Sequence, residues 1–401
     1  MLNATINLYR NAYTGLTRRT WLLALVMLIN RSGTMVLAFM TLYINHIGYS
    51  TEMAGLVVGI YGIGSLVGAF IGGKISDRFG FYYTQFFSLF CGGLLFITLG
   101  QMKTYVSICV CTFFLAMVNE SFRPANATAI AHYSTPQNRT QAFSINRLAI
   151  NLGWGVGAGL GGFLASVNYY LLFWVDGFTN IFAALLLLWV LPRVSVSQQQ
   201  NLSKISEKRV SVKPAHTDST FLYFIGLQVL FSICFFQLFT TIPLYFKSDL
   251  HINEFWIGII MAMNGVIIAL VEMVIVFKLE GTRPYLRLIT YGTIVMAISF
   301  FVLNLPFING FIVAVLFMLL MTVAEMVSMP FMNSYYISRS TEANRGQYAG
   351  YYTMAWSAAQ VIGSTSGTQV AHAIGFNNLW WITGGICLLT ALGYQKLLAN
   401  R

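Results

Sequence analysis

Long apolar runs separated by short polar segments dominate the hydrophobicity pattern of the chain. A helix needs about 20 mostly apolar residues to cross a bilayer, and runs of about that length recur along the whole sequence. The predicted spans, numbered 1 to 12 in chain order, are 20–44, 53–73, 82–101, 104–126, 142–166, 169–191, 219–246, 254–277, 285–304, 310–333, 347–370 and 377–398. The pattern therefore predicts an all-α membrane protein with twelve transmembrane helices.

The longest polar break in this pattern is the segment 193–218, which is rich in Gln, Ser and Lys. It separates spans 1 to 6 from spans 7 to 12. We therefore predict an N-terminal six-helix bundle at 1–192, a cytoplasmic linker at 193–218 and a C-terminal six-helix bundle at 219–401.

The two halves repeat one another in sequence. Leu42, Tyr43 and Glu52 recur 202 residues later as Leu244, Tyr245 and Glu254. Identical residues also recur with an offset of 206 in spans 4 and 5 and spans 10 and 11, as Pro124/Pro330, Asn138/Asn344, Arg139/Arg345, Gln141/Gln347, Gly157/Gly363 and Gly161/Gly367. So many matches in register predict two pseudo-symmetric bundles.

Composition and charge narrow the class of protein. The chain of 401 residues is 57% hydrophobic and 9% charged, whereas soluble domains carry about 25% charged residues. The net charge of +11 would fit a nucleic-acid partner if the basic residues formed one patch. They lie instead in alternate loops, which is the distribution that orients a membrane protein. We expect contacts with membrane lipids and no nucleic-acid partner.

The basic residues also predict the topology. If the N-terminus lies in the cytoplasm, Lys103 and Lys247 are the only Lys or Arg residues in the outer loops. The inner loops and termini then contain Arg10, Arg18, Arg19, Lys74, Arg78, Arg139, Arg193, Lys204, Lys208, Arg209, Lys213, Lys278, Arg283, Arg287, Arg339, Arg345, Lys396 and Arg401. This bias predicts a multi-pass protein with both termini in the cytoplasm. The low charge and the compact length of 401 residues favour the cytoplasmic (inner) membrane.

A polar motif follows span 2. Residues 72–80 read Gly-Gly-Lys-Ile-Ser-Asp-Arg-Phe-Gly, and we expect a tight connection between two helices there. The pattern Gly-x-x-x-Asp-Arg-x-Gly resembles the loop between helices 2 and 3 of the major facilitator superfamily. In that family the loop holds one face of the transporter closed. The resemblance implies conformational gating by Gly73, Asp77, Arg78 and Gly80, although Phe81 and Tyr82 replace two residues that are usually basic.

Span 5 carries a second resemblance within that family. It is rich in glycine, which lets helices approach closely, and Gly157 and Gly161 match the span-5 motif of drug/proton antiporters. Ala158 stands where that motif has proline. In motif pattern the chain is therefore closest to bacterial drug/proton antiporter-like members, and the resemblance implies gating roles for Gly157 and Gly161.

Charged residues inside the spans are candidate functional residues, because a charge at the bilayer centre costs about 2.5–3.5 kcal/mol. They are Arg31, Arg123, Arg147, Glu120, Asp176, Glu272 and Glu325. The family resemblance implies that spans 1, 4, 7 and 10 line a central cavity. It thus predicts substrate binding by Asn30, Arg31, Arg123 and Gln237, and proton coupling by Glu325 and Glu120.

Other interpretations of these residues remain open. Glu325 is a proton carrier, a neutral carboxyl group hydrogen-bonded to a neighbouring helix, or a salt-bridge partner of Arg31 or Arg123. The first is favoured because the spans of the second half contain no Arg away from their ends, and a desolvated carboxyl group can exchange protons near neutral pH. Arg31 binds an anionic group or pairs with Glu120, and Glu120 and Arg123 form either an intrahelical pair or a coupling element.

Three further charged residues are expected to be structural. Asp176 and Glu272 lie within two turns of span ends and are expected to be satisfied interfacial residues. Arg147, near the start of span 5, is expected to contact span 4 or lipid headgroups. The five cysteines lie in apolar runs without nearby histidines, which predicts neither a disulfide nor a metal site.

Searches for catalytic and nucleotide-binding motifs find no P-loop, GxSxG, HExxH or CxxC pattern. We therefore expect no enzyme activity, no cofactor and no direct use of ATP. The predicted function is proton-coupled efflux of a small organic solute by a monomeric secondary transporter that works by alternating access. The alternative is proton-coupled transport of an anionic or zwitterionic solute such as a peptide, an amino acid or a carboxylate siderophore. A non-transporting membrane receptor is a third possibility.

Overall fold

A computed structural model describes residues 16–134, 139–192, 215–279, 281–305, 309–340 and 345–399. Within these residues the regular secondary structure is entirely helical, and each of the twelve predicted spans is helical. Spans 1, 4 and 7 each consist of two helices, which are Arg18–Ser32 and Met35–His46, Tyr105–Glu120 and Phe122–Tyr133, and Ser219–Phe235 and Thr241–Ser248. The other spans of the first half, 2, 3, 5 and 6, are Thr51–Phe79, Phe81–Leu99, Arg139–Val167 and Tyr170–Val190. The other spans of the second half, 8 to 12, are Glu254–Leu279, Tyr285–Val302, Gly310–Arg339, Arg345–Ile374 and Phe376–Ala399.

Eleven of these spans are both long and apolar enough to cross a membrane. The exception is span 11, Arg345–Ile374, whose 30 residues include many Gly, Ser, Thr, Gln and Tyr. Large apolar side chains point outward from the spans, as Trp189, with 85% of its surface exposed, illustrates. Such extensive exposed apolar surface is costly in water and favourable in a lipid bilayer.

The spans pack in the same pattern in both halves. Span 1 packs on span 5 and span 3 on span 6 in the first half; span 7 packs on span 11 and span 9 on span 12 in the second. These pairs correspond to one another under the sequence repeat, so the duplicated sequence forms duplicated helix packing.

Three spans are interrupted. Span 1 breaks at Gly33, span 4 at Ser121, and span 7 passes through a 3₁₀ turn at Phe236–Phe239. At a break in a membrane helix, the freed backbone groups need partners within the protein because the bilayer core supplies no water. The breaks therefore mark places where side chains of neighbouring spans are expected to contact backbone.

The connection between spans 2 and 3 is shorter than the sequence motif predicted. The helix of span 2 continues to Phe79, and the next helix begins at Phe81. Gly80 alone joins them, with a φ of 88° that side chains with a Cβ rarely adopt. The tight connection expected within residues 72–80 is thus present, but it is confined to Gly80, because a single residue with positive φ is enough to reverse the chain.

The chain divides by its contacts into two compact units. Of the described residues, the first unit contains 16–36, 63–134 and 139–192, and the second contains 37–62 and those from 215 onward. Leu37–Gly62 groups with the second unit through close helix packing. A Cβ added at Gly59, for example, would lie 2.6 Å from Cγ2 of Thr365 in span 11.

Candidate functional site

The middle of span 10 in the second unit contains a buried polar cluster around Glu325. Nδ2 of Asn264, in span 8, donates hydrogen bonds to Oε1 of Glu325 at 2.9 Å and to Oγ1 of Thr322 at 3.1 Å. The Thr322 hydroxyl in turn donates to the carbonyl of Met318 at 2.6 Å. A carboxyl group thus lies among apolar helices with a neutral amide as hydrogen-bond donor.

Gln237 lies in the break of span 7, where its side chain joins span 7 to span 11. Its Nε2 donates to the carbonyls of Ile233 and Gly363 at 3.1 and 2.9 Å. Its Oε1 accepts from the Thr241 hydroxyl at 2.8 Å. The side chain is buried against Gly367, where an added Cβ would lie 2.0 Å from Oε1. Its hydrogen-bonding groups are therefore used within the second unit.

Aromatic side chains surround the same break in span 7. Phe235, Phe236 and Phe239 form one cluster with Trp356 of span 11, and ring centroids lie 5.4–5.8 Å apart in the contacts Phe235–Phe239, Phe235–Trp356 and Phe236–Trp356. Phe236, Phe239 and Trp356 are half-buried. The sequence analysis did not identify this cluster because its members come from spans more than 100 residues apart. It offers a partly exposed aromatic surface for an apolar ligand.

The break of span 1 in the first unit is held by Asp176 of span 6. Its two carboxylate oxygens accept from the backbone N–H groups of Met35 and Val36 at 3.1 and 2.8 Å. These are the first residues of the helix Met35–His46, whose N-terminal amides lack partners within the helix. Asp176 is fully buried within the protein, and both of its oxygens have hydrogen-bond partners, whereas its interfacial depth in the membrane stays a prediction. A carboxylate that caps a broken helix can be retained far from water.

Two predicted substrate-binding residues lie next to this break. Asn30 is buried, and its Nδ2 donates to Oδ1 of Asn180 in span 6 at 2.8 Å. Arg31 is half-buried at the contact with span 5, where a Cβ added at Gly153 would lie 2.7 Å from its Cβ. Gly157 packs on the same turn, with an added Cβ only 3.0 Å from the carbonyl oxygen of Ser32. Close approach of spans 1 and 5 therefore depends on these glycines.

Glu120 and Arg123 form an ion pair within span 4. Nη2 of Arg123 lies 2.9 Å from Oε2 of Glu120, at the break between the two helices of that span. The arginine side chain is 55% exposed, whereas the glutamate side chain is 11% exposed. The intrahelical pair expected from the spacing is thus present, and it leaves much of the guanidinium surface open.

The predicted gating residues have different surroundings. An added Cβ at Gly73 would meet no atom within 4 Å, whereas Gly161 is buried in span 5. Arg78 is exposed, with its guanidinium 5.3 Å from the ring of Phe79. The side chain of Asp77 lies outside the described residues. Glu272 is buried and Arg147 half-buried.

One charged cluster was not predicted from the sequence. Asp218, which precedes span 7, accepts two hydrogen bonds of 2.8 Å from Nε and Nη2 of Arg339 and one of 3.0 Å from the Tyr348 hydroxyl. It also caps the helix of span 7 by accepting from the backbone N–H of Phe221. Burial opposes ionisation of Asp218, but these hydrogen bonds together lower its pKa below the ordinary value. The cluster ties the ends of spans 7, 10 and 11 together.

Comparison with known proteins gives one consistent family. A profile described as Major Facilitator Superfamily matches residues 20–364. Among curated relatives, the uncharacterized MFS-type transporter YttB of Bacillus subtilis (strain 168) is 24% identical over 89% of this chain and 89% of its own. The Na(+), Li(+), K(+)/H(+) antiporter of Planococcus maritimus is 22% identical, over 91% of this chain and 92% of its own length. Multidrug resistance protein 2 of Bacillus subtilis (strain 168) is 24% identical over 68% of each chain.

Solved structures agree on the fold. A POT family transporter in complex with 5-aminolevulinic acid superimposes with a TM-score of 0.80 at 14% identity, covering 95% of this chain and 96% of its own. A D-xylose–proton symporter superimposes with a TM-score of 0.76 at 19% identity, covering 94% and 97%. At these identities the likeness establishes the fold of the chain and leaves its substrate unassigned.

Proposed function

Because the chain belongs to the Major Facilitator Superfamily, we propose that it is a secondary transporter that exports a small, amphipathic organic solute in exchange for protons. The family is one of transporters, so transport by alternating access is the premise for the roles assigned to individual residues. The proposal adds the coupling ion, the direction and the class of solute.

The observation that carries this proposal is the buried Glu325 cluster. Glu325 lies in an apolar span, where an ionisable group is costly and is retained mainly for function. Its described hydrogen-bond donor is the neutral amide of Asn264, which can bond to the carboxyl group in either protonation state. This arrangement suits a group that gains and loses a proton during a transport cycle. Glu120 of span 4, paired with Arg123, is the second candidate for coupling.

Export of an amphipathic solute is supported by two further observations. The cluster of Phe235, Phe236, Phe239 and Trp356 provides aromatic faces that bind flat apolar groups without specific hydrogen bonds. Relatives of similar length are named a multidrug resistance protein and a cation/proton antiporter. The first name refers to resistance to several drugs, and the second describes exchange of cations for protons.

An anionic or zwitterionic solute is the second candidate. It is favoured by the partly exposed guanidinium of Arg123, because arginine binds carboxylates through paired hydrogen bonds. Under that candidate Arg31 and Arg123 would bind the charged group of the solute. Asn30, beside Arg31 in span 1, and Gln237, in the break of span 7, would contribute neutral polar groups. We also propose that the protein is a monomer in the bacterial inner membrane.

The proposal is tested in proteoliposomes that contain a pH-sensitive dye. Lipophilic cationic dyes, dipeptides, carboxylates and the chlorides of Na⁺, Li⁺ and K⁺ are added one at a time. We expect the lipophilic compounds to drive a proton flux with wild-type protein and not with Glu325→Gln. The control Glu254→Gln, which removes the 2.8 Å ion pair between the start of span 8 and Lys247 at the end of span 7, should keep the flux.

Other results would replace the proposal in specific ways. Proton flux driven by carboxylates or dipeptides alone would support the second candidate, and flux driven by the monovalent cations alone would indicate cation/proton exchange. Unchanged flux in Glu325→Gln would overturn the role of that residue. Uptake of a compound without proton movement would overturn proton coupling, and the absence of any transport would favour a receptor.

A further inference from the structure

A groove of about 630 Å³ lies on the first unit between spans 2, 3 and 4. Arg78 and Phe79 of span 2 line one end, Tyr83, Phe87 and Cys91 of span 3 follow along its length, and Val118 of span 4 also contributes. Arg78 is also a predicted gating residue, but the residues proposed above for solute binding and proton coupling do not line this groove, and its lining is almost entirely apolar.

The groove opens toward the surroundings of the spans. Phe79 and Phe87, on its walls, are 54% and 57% exposed. Exposed phenylalanines on a membrane span face lipid, so the medium that fills such a groove is the bilayer itself. Water there would be unfavourable because few polar groups are present to bind it.

The length of the groove matches one leaflet. Span 3 begins at Phe81, and Cys91 lies ten residues further along this helix, which corresponds to about 15 Å of axial rise. The hydrocarbon core of a bilayer is about 30 Å thick, so the groove extends through about half of it. This is the depth reached by one acyl chain of a phospholipid.

The end of the groove at the membrane surface is basic. Arg78 lines the groove and is exposed. Lys74 lies one helical turn earlier on span 2, with its Nζ 4.3 Å from the centroid of the Phe70 ring. Basic side chains beside an acyl-chain groove are complementary to the phosphate of an anionic phospholipid.

We propose that this groove binds a phospholipid of the leaflet in contact with the Gly80 turn, with one acyl chain along span 3 and an anionic headgroup on Arg78 and Lys74. The inference concerns lipid binding alone, so it holds or fails independently of the solute and the coupling ion. A lipid in this position contacts spans 2, 3 and 4 beside the Gly-x-x-x-Asp-Arg-x-Gly motif.

The test is native mass spectrometry of the full chain, titrated with phosphatidylglycerol or phosphatidylcholine of matched acyl chains. We expect one phosphatidylglycerol to bind more tightly than phosphatidylcholine. Cys91→Trp fills the groove and should remove this binding, whereas Leu94→Trp, at an exposed position of the same helix outside the groove, should not. Arg78→Gln should weaken phosphatidylglycerol binding about fivefold, whereas Lys278→Gln, at the exposed end of span 8, should leave it unchanged.

Two results would overturn the proposal. Equal binding of the two lipids would remove the role of the basic residues. Equal binding to wild-type protein and to both Cys91→Trp and Arg78→Gln would place the lipid elsewhere.

Discussion

At the scale of single residues, polar side chains inside the spans make hydrogen bonds to neighbouring spans of the same unit. Asp176 caps the second helix of span 1, and Gln237 joins spans 7 and 11. Gln85, Asn126 and Asn146 form a buried chain of amides across spans 3, 4 and 5. Because a buried polar group without a partner is costly, such pairs select one arrangement of the helices.

The cluster around Asp218 leads to a prediction about stability and pH. Asp218→Asn removes a charge-assisted, bidentate pair with Arg339, and we expect a loss of about 1.5–3 kcal/mol at pH 7. The pKa of Asp218 is lower in the folded protein than in the unfolded chain. Its contribution to the free energy of unfolding is therefore present above the unfolded pKa of about 4, and it is lost as the pH falls through the lower pKa of the folded protein.

Thermal unfolding of the detergent-solubilised protein at pH 7 and at pH 3 measures this effect. The difference between wild-type protein and Asp218→Asn should be clear at pH 7 and smaller at pH 3, because the contribution of the ionised carboxylate decreases as the pH falls below about 4. Asp249→Asn, at an exposed position after span 7, is the matched control and should be neutral. A difference that does not depend on pH would contradict the assignment of an ionised pair.

At the scale of helices, glycines on one face of span 2 allow it to lie against span 4. Gly64, Gly68 and Gly72 are spaced by one turn, and a Cβ added at each would lie 2.1–2.5 Å from atoms of span 4. The atoms nearest to Gly68 are backbone atoms of Met117, which cannot rotate away. The contact between these helices therefore depends on the absence of side chains at these positions.

The same spacing predicts opposite effects for two alanine substitutions. Gly68→Ala should destabilise the protein by about 1–3 kcal/mol because the helices must separate to accommodate the methyl group. Gly73→Ala, where an added Cβ would meet no atom within 4 Å, should be neutral or stabilise the helix by up to about 1 kcal/mol.

Melting temperatures of the two variants in the same detergent measure the difference. Equal melting temperatures would show that spans 2 and 4 are not in close contact in the native protein. A transport defect in Gly73→Ala with unchanged stability would support the gating role that the family resemblance implies for Gly73.

At the scale of the whole molecule, the distribution of basic residues determines how the spans are expected to cross the membrane. Lys103 lies between spans 3 and 4, and Lys278 lies at the end of span 8. Lys and Arg are concentrated in every second loop, and the loop with Lys278 belongs to this set. The excess of positive charge predicts that these loops are cytoplasmic. Because the chain has twelve spans, both termini are then expected to lie on the cytoplasmic side.

Labelling of intact cells tests this topology. A membrane-impermeant maleimide should label Lys103→Cys from outside, and should label Lys278→Cys only after the membrane is made permeable. Wild-type protein, whose free cysteines are buried or half-buried, gives the background. Labelling of Lys278→Cys in intact cells would reverse the orientation.

The sequence by itself determined the membrane class, the spans and their duplication, because these depend on the length of apolar runs and on residues repeated at constant offsets. It also predicted the pair of Glu120 and Arg123, since residues three apart share one face of a helix. These properties are local or periodic, and the family assignment and the fold confirm the spans and their duplicated arrangement.

Only the tertiary structure decided which polar side chains meet across spans. Asn264 and Glu325 are 61 residues apart, and Asp218 and Arg339 are 121 residues apart. The breaks of spans 1 and 7 and the groove beside Arg78 likewise depend on contacts between distant segments. The periodicity of one helix shows which residues share a face, but it carries no information about which residue of another helix lies opposite, because that depends on how all the helices pack together.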